Sequence, residues 1–219
     1  MPSLFDNNDP RSLASGMRRR RLRWLVDLMR DLPEPVRILD VGGTAIFWRN
    51  NRDLLVRKHH ITVLNLTASD SNSADIAFVA GDARAMPYFQ DGEFDLCFSN
   101  SVIEHVGALE DQLAMAREIR RVAVRYFVQT PSRYFPLEPH FLVPFWQFLP
   151  VPLRAALLAK FKIGWMDRQP SYKAARAEVE QIRLLSVSEM RRLFPGSTIK
   201  LEKLGGLTKS IVAMGSAAS

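Results

Sequence analysis

The chain has 219 residues, 47% hydrophobic and 24% charged, which fits one globular domain with a buried core and leaves room for an inserted subdomain. Its 30 Lys and Arg against 23 Asp and Glu give a net charge of +7 and a pI near 9.9, yet much of the excess is concentrated at 18–23, so the basic bias is local. A single cysteine excludes an internal disulfide, and with no signal peptide ahead of the first strand the expected setting is reducing and cytoplasmic.

Residues 1–12 are polar and turn-rich and read as a loose arm. A helix is expected from Ser12 or Ser15, because Met17, Trp24, Leu25, Leu28 and Leu32 recur at helical spacing until Pro33; together these form an N-terminal helical arm over 1–33. Arg18, Arg19, Arg20, Arg21 and Arg23 on that helix read either as a solvated face or as a contact for an anionic membrane surface. Next comes Ile38-Leu39-Asp40-Val41-Gly42-Gly43-Thr44: an aliphatic run ending in an acid, a glycine turn, and a helix start that should continue over 47–58.

Further strands are expected at 61–65, 76–79, 94–98 and 124–129, with a polar loop at 67–74 and a helix at 109–121. This alternation means a doubly wound α/β fold with a mostly parallel sheet covered on both faces. The pattern breaks at Thr130-Pro131. From 131 to about 177 the chain is rich in Pro and aromatics, while Gln147, Arg154 and the prolines exclude a membrane span, so the stretch reads as an inserted lid over the ligand edge of the sheet. Ser186 and Glu189 form a capping box for a last helix, and strands at 198–204 and 209–214 joined through Gly205-Gly206 make seven strands in all.

Ligands of open α/β sheets bind outside the carboxyl ends of the strands. There the sequence supplies Asp40, Gly42 and Gly43 after the first strand, Asn65 after the second, Asp82 and Ala83 after the third, and Ser99, Asn100 and Ser101 after the fourth. A glycine turn, a polar side chain within reach of ribose and an acid within reach of an exocyclic amine describe a nucleoside pocket. Plainer alternatives are a tight turn at Gly42-Gly43, a solvated loop acid at Asp82, and core packing for Cys97.

These stretches resemble the small, type-11-like, Rossmann-like (class I) methyltransferases that use S-adenosylmethionine. The likeness lies in 38–43, in Gly81-Asp82-Ala83 with Met86-Pro87, in Phe94-Asp95-Leu96 followed by 99–106, and in the terminal strand pair with its antiparallel last strand. It implies a single domain over 1–219 and S-adenosylmethionine as cofactor. Asp40 would orient the turn and meet the methionine amino group, with Gly42 and Gly43 against the cofactor. Asp82 would accept from the adenine amine, the Ala83 N–H would donate to the ring, and Asn100 or Ser101 would lie near the methionine end. Thr44 and Ile46 stand where the family has further glycines, and Asn65 stands where it has an acid that grips ribose.

The cofactor carries the electrophile, so the protein aligns the partners and removes a proton where needed. Candidate catalytic residues are His140 and His105 as bases, with Tyr134 and Arg133 positioning the acceptor; His140 capping a helix, Arg133 pairing with Glu138, and Glu104-His105 merely starting a helix are the alternatives. The expected acceptor is a small or lipid- or glycan-linked molecule taking the methyl on O or N, reached near a membrane surface. No metal is expected, nucleic acid is disfavoured as a partner, and a second subunit against the lid stays open. The rival readings are a dinucleotide-dependent (NAD) oxidoreductase, which wants a glycine pattern absent after Gly43, an RNA methyltransferase, and an inactive cofactor-binding protein.

Overall fold

The computed structural model describes residues 13–51, 58–67 and 75–217. The expectations for 1–12, for the continuation of the second helix over 52–57 and for most of the loop at 67–74 lie outside the described residues. The elements are α1 (Leu13–Met29), β1 (Val36–Val41), α2 (Ala45–Asn50), β2 (His59–Asn65), β3 (Ile76–Ala80), β4 (Phe94–Asn100), α3 (Leu109–Val122), β5 (Ala123–Pro131), α4 (Val151–Lys160), α5 (Tyr172–Gln181), α6 (Val187–Leu193), β6 (Thr198–Leu204) and β7 (Leu207–Ser216).

The seven strands form one sheet in the order β3-β2-β1-β4-β5-β7-β6, with β7 antiparallel to both neighbours and every other pairing parallel. This is the doubly wound sheet with an antiparallel last strand that the sequence led us to expect. Gly205 and Gly206 both adopt positive φ (58° and 83°), which lets two residues close the β6–β7 hairpin with the twist the strands require. Strand β4 runs two residues beyond 98, because Ser99 pairs with Val41 and Val128, and Asn100 with Gln129.

Period-two alternation splits the core into two layers. Ile38, Leu96 and Phe98 face Leu22, Leu25 and Met29 of α1 and Trp48 of α2; Leu39, Cys97 and Tyr126 face Met115, Ile119 and Val122 of α3 and Met190 and Leu193 of α6. Cys97 is therefore a core residue, and burial raises its thiol pKa well out of the reactive range.

The insertion has its own small core, in which Phe141 and Trp146 pack with Ala155 and Leu158 of α4 and Ala175 and Val179 of α5, the last ending at Gln181. It is tied to β7 at one end, where Ser132 N–H donates to Lys209 O (2.9 Å), and to the turn after β4 at the other, where Arg183 N–H donates to Glu104 O (2.8 Å). Its apolar residues are not all internal. Tyr134, Phe145, Phe148, Phe161 and Trp165 are exposed, Trp165 at 70%.

Candidate active site

The first strand end is shaped by sterics. Gly42 has φ 76°, and a Cβ there would fall 2.5 Å from Val102 Cγ2; a Cβ on Gly43 would fall 1.6 Å from Asp40 Oδ2. Only glycine admits the turn in this form. Thr44, where the resembling family has a further glycine, caps α2, its Oγ1 accepting from Phe47 N–H at 3.3 Å.

Asp40 lies beneath that turn at 1% exposure, and Trp48 Nε1–H donates to its Oδ2 at 2.6 Å. Burial pushes its carboxyl pKa up to about 7, with the indole hydrogen bond opposing. Its carboxyl group stands directly against the Gly43 position of the turn.

Asn65 closes β2 and donates from Nδ2 to Gly43 O at 3.0 Å, which fastens the second strand end to the glycine turn, while its amide oxygen is of the acceptor type a hydroxyl needs. Beyond β3, Asp82 is held by Arg84, whose Nε and Nη2 reach its carboxylate at 3.0 and 2.6 Å while Nη1 reaches Asp111 at 2.9 Å. That side-chain hydrogen bond to Arg84 is the main reason the Asp82 pKa sits below its ordinary value. Ala83 is nearly buried beside it. At the end of β4, Asn100 Oδ1 accepts from Arg21 Nη1 at 2.9 Å, and Ser101, at φ 57°, donates from Oγ to Gln129 Oε1 at 3.0 Å.

Arg21 corrects the solvated-face reading of the basic run in one place. Its side chain is only 13% exposed and also pairs with buried Glu202 at 3.3 Å, whereas Arg20 and Arg23 remain exposed. The signal was present in the sequence only as a helical position on the same face as Trp24 and Leu25.

These groups fit an adenosine-type ligand. Four consecutive strand ends present, in order, a backbone turn without side chains, an amide, an anchored carboxylate and a second amide, which are the donors and acceptors that ribose and adenine require.

The two histidines, 35 positions apart, come together. His140 Nε2 and His105 Nε2 are 3.1 Å apart, and His140 Nδ1 meets Glu138 Oε1 at 2.6 Å. Glu138 is buried and its second oxygen accepts from the backbone N–H groups of His140 (2.8 Å) and Phe141 (2.7 Å), so the carboxylate is fixed. In place of the alternative readings, an Arg133–Glu138 pair and a helix-capping His140, the residues form a Glu138–His140–His105 chain. Burial works against charge on His140, but the hydrogen bond and charge of Glu138 outweigh it and lift its pKa above the histidine norm. His105 goes the other way, to about 4, through desolvation of its ring and then the charge on His140.

The turn carrying Glu104 and His105 is itself anchored. Gln112 Nε2, buried on α3, donates to Ile103 O (3.0 Å) and Arg183 O (2.9 Å), and Thr130 Oγ1 donates to Glu104 Oε2 at 3.0 Å. Glu104 is fully buried, which raises its pKa to about 7. Tyr134 does not join the cluster: it is 65% exposed and stacks on Phe148 with centroids 6.3 Å apart.

A family model described as "Methyltransferase domain" matches residues 53–125, a stretch that includes β2, β3, β4 and α3 and ends within β5. Sheet order and strand-end arrangement are those of a Rossmann-like α/β fold, and over 53–125 the chain is similar to a methyltransferase domain. Over 132 residues the chain is 27% identical to an uncharacterized protein of Mycobacterium tuberculosis, with 55% of this chain and 44% of the relative covered, so it spans less than half the length of the curated relatives it matches. Among solved structures it is similar to a putative Zn-dependent alcohol dehydrogenase from Rhodobacter sphaeroides (13% identity, TM-score 0.57, 90% and 89% of the two chains). It is similar also to a geranyl diphosphate C-methyltransferase from Streptomyces coelicolor (13%, 0.56, 99% and 89%). These likenesses concern the fold alone.

Proposed function

We propose that the chain transfers the methyl group of S-adenosylmethionine to an O or N atom of a small or lipid- or glycan-linked acceptor lying beneath the insertion. The observation that carries this is the Glu138–His140–His105 chain at the carboxyl edge, next to the strand ends suited to a nucleoside. Bound cofactor supplies an electrophilic methyl group on a sulfonium. The turn at Gly42 and Gly43, braced by Asp40 and Asn65, would hold its amino-acid and ribose portions, and Asp82 with the Ala83 N–H its adenine.

The residues of the insertion handle the acceptor's proton. Glu138 holds the Nδ1–H of His140, which leaves Nε2 as the lone-pair nitrogen once His140 is neutral. An acceptor hydroxyl taking the place of His105 against Nε2 would give its proton there, and Glu138 would stabilise the imidazolium formed. His105, neutral through nearly the whole working range, keeps that position polar without adding charge.

Peripheral contact with an anionic membrane is part of this reading. Phe145, Phe148, Phe161 and Trp165 project from the insertion near Lys160 and Lys162, a composition suited to the headgroup boundary. No helix among the described residues is long and apolar enough to cross a membrane.

Calorimetric titration with S-adenosylhomocysteine and with NAD, followed by methyl transfer from labelled cofactor into bacterial lipid and small-molecule extracts, tests the proposal. Binding of S-adenosylhomocysteine alone, with label entering either fraction, supports it; binding of NAD alone overturns it. Flotation with phosphatidylglycerol vesicles tests the membrane contact separately.

A further inference from the structure

Inside the insertion is a cavity of about 170 Å³ whose wall includes Arg133, Arg154, Gln147, Glu138, Phe141 and Trp146. Its charges do not balance. The one carboxylate, Glu138, has both oxygens engaged, one by His140 and the other by two backbone N–H groups. Arg183, also at the wall, is taken up by Gln112 (2.7 Å) and by Glu189. Arg133 and Arg154 are left with no side-chain hydrogen bond or ion pair among the described residues, and the Nε of Arg154 is buried without an acceptor.

A second donor in the same wall is stranded as well. Trp146 is 2% exposed and its Nε1–H has no acceptor. The Gln147 side chain spends its Nε2–H groups on the carbonyls of Arg133 and Phe135 (3.1 and 2.7 Å), which pins the backbone carrying Arg133 to the wall. Leaving the half-buried guanidinium of Arg154 without an anion is costly, exposed Arg133 adds a second guanidinium to the same wall, and planar guanidinium forks are matched by carboxylate and phosphate oxygens. Burial of Arg154 disfavours its charge, with the charges of Glu138 and Glu180 opposing.

We propose that this cavity receives a negatively charged oxyanion, a phosphate or a carboxylate, carried by the methyl acceptor and held by Arg133 and Arg154. The inference rests on the methyl-transfer reading for the word acceptor, and on the cavity itself for the anion. Glu138 stands in the cavity wall and also against His140, so an anion seated at the arginines lies one side chain away from the base. The acceptor class is then an anionic molecule whose nucleophilic oxygen or nitrogen lies close to its own charged group. The phosphate of a lipid headgroup and that of a soluble metabolite present the same chemistry to these arginines.

The test is calorimetric titration of the full chain with inorganic phosphate, pyrophosphate and acetate, and vesicle flotation with phosphatidylglycerol against phosphatidylcholine, for the natural protein and for R133Q and R154Q. Titration with S-adenosylhomocysteine is run on each. The expected result is anion binding weakened at least about tenfold in both variants, with S-adenosylhomocysteine affinity unchanged within about twofold. Binding of soluble anions identifies a soluble acceptor, and selective binding to phosphatidylglycerol vesicles that both variants lose identifies a lipid-borne one; each supports the site. No anion binding in any arm, or equal binding by both variants, overturns it. R133Q, altered at an exposed side chain, keeps the test valid if R154Q does not fold. A natural protein that binds phosphate but not S-adenosylhomocysteine would end the methyl-transfer reading and leave the anion site standing.

Discussion

His140 Nε2 faces His105 Nε2 at 3.1 Å, and the proton between them belongs to His140 whenever Glu138, on the far side of the ring, holds it as an imidazolium. The pair therefore has two states, set by the ionisation of one ring. As pH rises through the raised pKa of His140, the ring loses its proton and Nε2 becomes a base. The acid limb of kcat/KM is expected above 6.5, the ordinary histidine value. In E138Q the amide can orient its NH₂ toward Nδ1 and favour the wrong tautomer, so the rate should fall by about 10²-fold or more. A pH–rate profile unchanged in E138Q would remove His140 as the base.

A cation offers a contrasting test of the same cluster. One ligand atom from each of Glu104, His105 and His140 lies within 4.8 Å of the others, a spacing that a transition metal can bridge. With His140 acting as a base, dialysis against a chelator should leave the initial rate unchanged and added Zn²⁺ should inhibit, since it takes the nitrogen that receives the proton. Activity lost on chelation and restored by zinc would replace proton transfer with metal chemistry.

Asn65 stands where the resembling family has an acid, and restoring that acid should not help. Its Nδ2 donates to Gly43 O at 3.0 Å, and a carboxylate would set oxygen against oxygen there. N65D is expected to bind S-adenosylhomocysteine about tenfold more weakly than the natural protein. Equal or tighter binding, measured by calorimetry, would show that the tie to the glycine turn is dispensable.

Gly43→Ala places a methyl group 1.6 Å from Asp40 Oδ2, which forces apart the turn and the Asp40–Trp48 bond. Loss of S-adenosylhomocysteine binding and a destabilisation of about 2 kcal/mol or more are expected in thermal or denaturant unfolding. An unaltered melting midpoint would mean that the turn is free to rearrange.

The buried carboxyl of Asp40 links stability to pH. In the unfolded chain it ionises near 3.8, whereas in the fold it keeps its proton to about 7. Across that interval the folded state binds more protons than the unfolded one, so stability falls as pH rises and levels off above 7. D40N retains an acceptor for Trp48 Nε1–H and carries no charge, so the loss of stability between pH 5 and pH 8 should shrink by up to a few kcal/mol. Urea titrations at the two pH values would count against this if both proteins lost the same amount.

Local pattern was enough to determine the sheet. Aliphatic runs such as Ile38-Leu39 and Leu96-Cys97, turn glycines and the Ser186–Glu189 capping box act over a few residues, so their consequences are legible along the chain. The same holds for the row of strand-end residues from Asp40 to Ser101, because a parallel sheet puts all its carboxyl ends on one edge. What only the tertiary structure decided is how these side chains are spent. Asp40 goes to Trp48, Asp82 to Arg84, Asn100 to Arg21 and Glu138 to His140 rather than to Arg133. His105 and His140 meet because the insertion folds on its own core of Phe141, Trp146 and α4–α5 and is pinned back at Ser132 and Arg183. Hydrogen-bond partners are chosen by distances of about 3 Å between groups far apart in sequence, and no periodicity in the chain encodes those distances.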